Sequence, residues 1–140
     1  MININKKFII KTLFTMVFIL QFILFTACKI HKSLNFNTSI VSKIEIADIR
    51  TINKSDKHFS KVIQFTENQK NDWEKPGIGT FPTPRYTIIF YDNTKFLYSL
   101  FIGTNWIGAS YYDKQYIKST ENSVINDFLK KIELTPVKYP

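Results

Sequence analysis

Cysteine is nearly absent from this chain, and its scarcity limits how the protein can be held together. Cys28 is the single cysteine among 140 residues, so no disulfide within the chain contributes to stability. In an exported domain a free thiol would also be a liability. The one cysteine is therefore expected to have a role other than cross-linking.

Arginine is almost as scarce, which bears on nucleic-acid binding. Arg50 and Arg85 are the two arginines, and the excess positive charge comes from lysines. Three of the 19 basic residues precede Cys28 and all 11 acidic residues follow it, which leaves +5 for the rest of the chain. These charges alternate in sign along the sequence, whereas a nucleic-acid surface clusters basic side chains on one face. We therefore predict no nucleic-acid partner.

Motifs for catalysis and metal binding are missing too. The chain has no Gly-x-Ser-x-Gly turn, no HExxH and no paired His and Cys at metal-ligand spacing. The sequence thus predicts no catalytic residue, no metal site and no cofactor, and His58 is interpreted as an ordinary strand-edge residue. The alternative is an enzyme or small-ligand carrier with a site on the sheet near His58. That alternative requires an Asp or Glu close to His58 in a concave pocket.

The N-terminus has the organisation of an export signal. Lys6, Lys7 and Lys11 lie in a short basic region, and residues 12–27 form an apolar run interrupted by threonines and one glutamine. Sixteen residues are fewer than the roughly 20 that a helix needs to cross the hydrocarbon core. Positive charge, a short apolar run and a small residue before a cleavage site are typical of a signal peptide.

The residues around the cysteine, FTAC, resemble the lipobox of bacterial lipoproteins. The resemblance implies cleavage between Ala27 and Cys28, a diacylglycerol thioether on Cys28 and acylation of the new amine, with palmitate-type chains. Phe25 stands where the family usually has Leu. Several acyl chains hold a protein stably, whereas one holds it only marginally. By the same resemblance, Lys29, in place of an aspartate, implies an outer-membrane position facing the periplasm of the cell envelope in a host that has an outer membrane.

These observations divide the chain into three parts. Residues 1–27 are predicted to be a lipoprotein signal peptide, and residues 28–39 a lipidated N-terminus with a polar tether that lifts the domain off the headgroups. Residues 40–140 are predicted to form a single small domain.

Alternating apolar and polar residues predict strands in most of this domain. Ile40, Ile44 and Ile46 share one side of a first predicted strand, and residues 58–65 alternate in the same way. Two aromatic and β-branched strands, 85–91 and 95–102, are joined by a turn at 92–94, and residues 104–113 resemble a third meander strand. Between residues 66 and 77 a helix of two turns at most is predicted, with a capping box at Thr66 and Gln69.

The C-terminus has the pattern of a helix. The apolar residues Val124, Ile125, Phe128, Leu129 and Ile132 recur on one face, and Ser119 or Thr120 is the predicted cap. The sequence therefore predicts an α+β fold, with an antiparallel sheet of about five strands and this helix packed on one face. The meander and helix resemble small lipoproteins of unknown function, which supports the fold more than the function.

Aromatic residues give the strongest indication of binding. The proline-rich connection 76–86 carries Ile78, Phe81 and Arg85, and a stiff loop with an apolar tip loses little entropy on docking. Trp106, Tyr111 and Tyr112 add residue types that are frequent at interface hot spots. The same aromatics would also suit a buried sheet face, so exposure decides between the two interpretations. We predict a non-catalytic binding or inhibitor-type module, anchored in the membrane through Cys28, with an envelope protein or glycan as partner.

Overall fold

The chain divides into two units, and the strands and helices described below lie in the second. The computed structural model describes Met16, residues 31–76 and residues 82–136. Contacts divide the chain into Met1–Ile30 and His31–Pro140. The predicted signal peptide (apart from Met16) and the lipidation site, Cys28, lie outside the described residues. Among those described, no helix is long and apolar enough to cross a membrane.

The sheet is antiparallel throughout its described part, and two helices accompany it, which confirms the predicted α+β class. It has six strands where about five were predicted, in the spatial order β2-β1-β3-β4-β5-β6. Their bounds are β1 (Lys43–Ile46), β2 (Arg50–Asn53), β3 (Tyr86–Asp92), β4 (Lys95–Ile102), β5 (Trp106–Tyr111) and β6 (Lys114–Ser119). The helices are α1 (Phe59–Asn68) and α2 (Asn122–Lys131).

The hairpin of β3 and β4 confirms the clearest sequence prediction. Asp92 pairs with Lys95 and closes a turn at Asn93, whose φ of 53° lies in the left-handed region. Asparagine tolerates this conformation better than most residues. The first predicted strand, by contrast, is a hairpin. Asp48, at φ 59°, turns the chain between β1 and β2, and Ile40 is exposed instead of sharing the buried face of Ile44 and Ile46.

Helix α1 replaces the strand that was predicted at 58–65, and that prediction was wrong. Val62, Phe65 and Thr66 are its buried residues. The flanking residues His58 and Gln69 are also buried, and together the five follow the three- and four-residue spacing of a helix face. The predicted capping box was wrong as well, because Thr66 lies inside the helix and its hydroxyl donates to the Val62 carbonyl at 2.9 Å. The predicted helix over 66–77 is absent beyond Asn68; instead, extended residues 73 and 74 form bridges with Lys32 and Ile117.

The end of the domain is partly as predicted. Helix α2 buries Ile125, Phe128 and Leu129, but Val124 is exposed. Its N-cap is Glu121, without a side-chain capping bond, so the caps predicted at Ser119 and Thr120 were wrong. Strand β6 was not predicted, because its turn at residues 112–113 contains no glycine or proline.

The N-terminal segment of the domain is part of the core. Leu34 and Phe36 are buried and join the strands and both helices in one apolar cluster. Helix packing is tight there, with the rings of Phe65 and Phe128 stacked at a centroid distance of 3.7 Å. Leu34 and Phe36, which lie in the segment predicted to be a tether, thus pack in the core of the second unit.

Candidate binding groove

The predicted binding residues do not form one surface. Ile78 and Phe81 lie outside the described residues. Arg85 and Trp106 line a cleft of about 660 Å³, while Tyr111 and Tyr112 line a groove of about 330 Å³. Trp106 begins β5 and Tyr111 ends it, so the two depressions lie at opposite ends of that strand, roughly 17 Å apart at about 3.4 Å per residue.

The smaller depression, called here the aromatic groove, is formed where two hairpins turn. The β3–β4 and β5–β6 hairpins turn at the same end of the sheet, since Tyr98 pairs with Tyr111. The short 3-10 helix Thr38–Ile40 supplies the remaining wall. The lining residues are Asn37, Ile40, Lys95, Phe96, Leu97, Tyr98, Tyr111, Tyr112 and Asp113.

Exposed apolar side chains are concentrated at this groove. Ile40 is 42% exposed, Phe96 is 52% exposed and Tyr112 is 79% exposed. Of the large apolar side chains exposed in the described part of the second unit, only Ile49 and Val124 lie elsewhere. Single exposed apolar residues are ordinary, but a contiguous group with a polar rim marks an interaction site.

The turn that presents Tyr112 is conformationally costly. Tyr112 has φ 48° and Asp113 has φ 57°, and the Tyr111–Lys114 pair encloses them. Two left-handed residues in a two-residue loop are the pattern of a type I′ turn, which favours Asn and Gly. A tyrosine in this conformation costs about 1 kcal/mol or more. Backbone strain of this kind is frequent at functional sites, and this turn places the Tyr112 ring in solvent.

The floor of the groove is a rigid aromatic cluster. Tyr98 is 1% exposed, and its ring stacks on Phe90 at 4.4 Å and contacts Phe36 at 5.0 Å. The Tyr111 hydroxyl donates to the Asn35 carbonyl at 2.5 Å. Such packing fixes the ring positions before any partner binds, which lowers the entropy cost of association.

Both floor tyrosines are neutral at physiological pH. Burial, with smaller effects from Tyr111 and Glu67, raises the pKa of Tyr98. Burial and a hydrogen bond with Tyr112 raise the pKa of Tyr111. Their hydroxyls therefore stay protonated well beyond pH 7. Formal charge at the groove comes from Lys95 and Asp113, which have opposite signs and suit a partner with a mixed polar rim.

The larger cleft has a different construction. The Trp106 ring occupies the space beside Gly103 so closely that a Cβ there would lie 2.1 Å from the ring. Gly103 also donates its N–H to the Trp106 carbonyl at 3.0 Å. Trp106 is half-buried. Trp106 thus has a clear structural contact, whereas Tyr112 is mostly in solvent.

His58 is not the strand-edge residue that was predicted. It is 2% exposed and precedes α1, where its N–H donates to the Asp56 carboxylate at 2.7 Å. Its Nε2 lies 3.5 Å from Glu133 Oε2, and Lys57 Nζ contacts Glu133 at 2.6 Å. These contacts join the start of α1 to the residues after α2. His58 lines neither the groove nor the larger cleft.

No metal centre is evident in the described ranges, where no three His, Cys, Asp or Glu side chains gather closely enough to hold an ion. Comparison with models of known protein families, with curated proteins and with solved structures gives no match for this chain. The groove and the sequence are therefore the features from which a function can be inferred.

Sequence reasoning found part of the groove. Tyr111 and Tyr112 were predicted as partner-binding residues, and both line it. Phe96 was missed because its strand is apolar at most positions, so the sequence does not show which of these side chains face outward. A register shift between Phe90 and Tyr91 turns Phe96 to pair with Tyr91, and a β-bulge of this kind leaves no simple mark in the sequence. Ile40 was missed because it was assigned to a strand.

Proposed function

We propose that this chain is a lipid-anchored protein of the bacterial cell envelope whose domain is a non-catalytic binding module. The export signal and the FTAC sequence support attachment through acyl chains on Cys28, with cleavage after Ala27. An outer-membrane position facing the periplasm is the favoured location. The fold we infer is a sheet with α2 against the same core face as α1.

The observation that carries the proposal is the convergence of Ile40, Phe96 and Tyr112 on one groove with a preformed aromatic floor. Interfaces place aromatic side chains at the centre and polar groups at the rim. Lys95 and Asp113 supply such a rim. The partner is a protein or glycan of the envelope, and an inhibitor of an envelope enzyme is a special case of this role.

A small-ligand carrier is the second candidate, and the groove volume of about 330 Å³ supports it. Ligand sites range from roughly 300 to 1,000 Å³, so this groove is at the lower limit. The enzyme form of the alternative has less support, since His58 is buried away from both depressions.

The test is affinity capture from detergent-solubilised envelope with the full-length chain tagged at its C-terminus. Phe96→Ala is compared with Val124→Ala, which truncates a similarly exposed apolar residue on α2. We expect one partner in stoichiometric amount with the unmodified chain and Val124→Ala, at least tenfold less with Phe96→Ala, and nearly equal melting temperatures. A partner retained fully by Phe96→Ala would contradict the proposed groove. Capture of nothing, together with a thermal shift by a small molecule, would favour the carrier.

A further inference from the structure

We propose that the domain docks directly on anionic phospholipid headgroups through the surface around Lys32, Lys70, Lys75 and Lys118, called here the lysine face. This inference rests on the proposed lipidation of Cys28. It differs from the polar tether that the sequence predicts, because the described segment before β1 is packed against the domain.

The length of chain before the first fixed residue is short. Lys32 exchanges two backbone hydrogen bonds with Trp73, at 2.7 and 3.0 Å, and it follows Cys28 by four positions, with three residues between them. At no more than about 3.6 Å per residue, the lipidated residue lies within roughly 14 Å of this pair. A domain attached by so short a segment presents this region to the headgroups.

The attachment of the segment to the domain is rigid. The Leu34 N–H donates to the Lys70 carbonyl at 2.8 Å, and Leu34 and Phe36 are 5% and 2% exposed. Trp73 itself is fully buried and donates its ring N–H to the Gln69 carbonyl. Detaching this segment would expose two core side chains, so it does not lengthen the connection between Cys28 and the domain.

Charge at the lysine face matches an anionic surface. Lys32, Lys70 and Lys75 are exposed, and Lys118 lies over the Trp73 ring at 5.7 Å, donating to the Asn71 carbonyl. The four lysines outnumber the two carboxylates of this surface, those of Asp72 and Glu74. His31 Nδ1 lies 4.0 Å from Glu74 Oε1. The surface potential of an anionic bilayer acts over about a Debye length, 8 to 10 Å at moderate salt, so docking places this face closer to the headgroups than the roughly 14 Å that the linking residues allow.

The test uses the full-length lipidated protein reconstituted into vesicles that carry a headgroup-attached quencher. A fluorophore is placed on Lys75→Cys or, as the control, on Lys54→Cys, which removes the same charge. Lys54 follows β2, and β2 and β6 are opposite edges of the sheet, separated by five strand spacings of about 4.8 Å. The intact mass of each preparation reports whether Cys28 carries lipid.

On vesicles containing anionic phospholipid, we expect quenching at position 75 at least threefold stronger than at position 54. The difference should shrink by half or more in about 1 M salt, where the Debye length is about 3 Å, and with Lys32→Glu and Lys70→Glu together. Equal quenching at both positions in a lipidated protein would overturn the docking and leave the anchor standing. A mass without lipid would overturn both, and neither result would touch the groove, which Phe96→Ala tests separately.

Discussion

The hydroxyl of Tyr111 donates a hydrogen bond to the backbone carbonyl of Asn35, at 2.5 Å and across 76 residues of sequence. The next residue, Phe36, places its ring 5.4 Å from the Tyr111 ring in an edge-on contact. One tyrosine at the end of β5 therefore belongs to the groove floor and also holds the N-terminal segment in place. The groove floor and the N-terminal segment of the domain are therefore joined by direct contacts.

Tyr111→Phe should lower the free energy of unfolding by about 1 kcal/mol, the usual contribution of one hydrogen bond. It should also speed hydrogen exchange of the Leu34 amide, which bonds to Lys70. Tyr86→Phe is the control, because the Tyr86 hydroxyl donates to the Thr135 carbonyl at 2.9 Å. It should cost a similar amount without affecting Leu34. Equal exchange of Leu34 in both variants would contradict the connection.

Phe36→Ala should be among the most damaging single changes, with a loss of about 3 to 5 kcal/mol in unfolding free energy. The residue is 2% exposed and contacts the rings of Trp73, Tyr98 and Tyr111. Ile40→Ala, four residues later and 42% exposed, should change stability by no more than about 0.5 kcal/mol. Chemical denaturation measures both. A loss below about 1 kcal/mol for Phe36→Ala would mean that residues 28–39 behave as the free tether predicted from sequence.

The parts of the fold that were predicted well are those where the residues favour one structure. β3 and β4 are rich in β-branched and aromatic residues, and residues 92–94 between them are typical of a hairpin turn. Residues 58–65 fit two periods: Phe59, Ile63 and Phe65 alternate as in a strand, while the helical spacing of His58 and Val62 is less conspicuous. Tertiary burial, which selects the helical face, decided between them.

Turns without glycine explain most of the remaining errors. Asp48 forms a left-handed turn within an isoleucine-rich stretch, and Tyr112 and Asp113 form another within an aromatic stretch. In both places the neighbouring residues favour a strand, so the turn was not predicted. Missing these turns merged β1 with β2 and concealed β6. Of the residues that line the groove, only Tyr111 and Tyr112 were predicted to bind a partner, because its other walls depend on a β-bulge and a 3-10 helix.

Tyr112→Asn should separate binding from stability. Asparagine relieves about 1 kcal/mol of backbone strain in the left-handed region, while loss of the Tyr111–Tyr112 ring contact at 4.4 Å costs a similar amount. The free energy of unfolding should change by less than about 1 kcal/mol, and partner capture should fall at least tenfold. Unimpaired capture would show that the exposed ring does not contact the partner.

Glu133 should make stability depend on acid pH. The hydrogen bond and charge of Lys57, aided by His58 and Arg50, hold the pKa of Glu133 below its usual value. A carboxylate whose pKa is lower in the folded state stabilises above its unfolded pKa, and that contribution disappears as pH falls through the folded pKa. Glu133→Gln should therefore melt slightly lower than the unmodified chain at pH 7, and the two should melt equally once the pH is below the folded pKa of Glu133. The melting temperature of Lys57→Met should differ from that of the unmodified chain with the same dependence on pH. Adding Lys57→Met to Glu133→Gln should lower the melting temperature little further. A melting difference that persists at low pH would exclude this ion pair as its cause.

Gly103 and Trp106 should be strongly coupled in stability. Gly103→Ala places a Cβ 2.1 Å from the Trp106 ring, so the ring must move, at a cost of about 1 to 3 kcal/mol. Once Trp106→Ala has removed the ring, the same change at position 103 should cost far less, and a double-mutant cycle should give a coupling energy of about 1 to 3 kcal/mol. Additive effects would mean that the ring does not rest on Gly103.

Partner capture should survive both changes if the aromatic groove, and not the larger cleft, is the binding surface. Loss of capture with Trp106→Ala, at unchanged capture with Phe96→Ala, would transfer the binding role to the cleft.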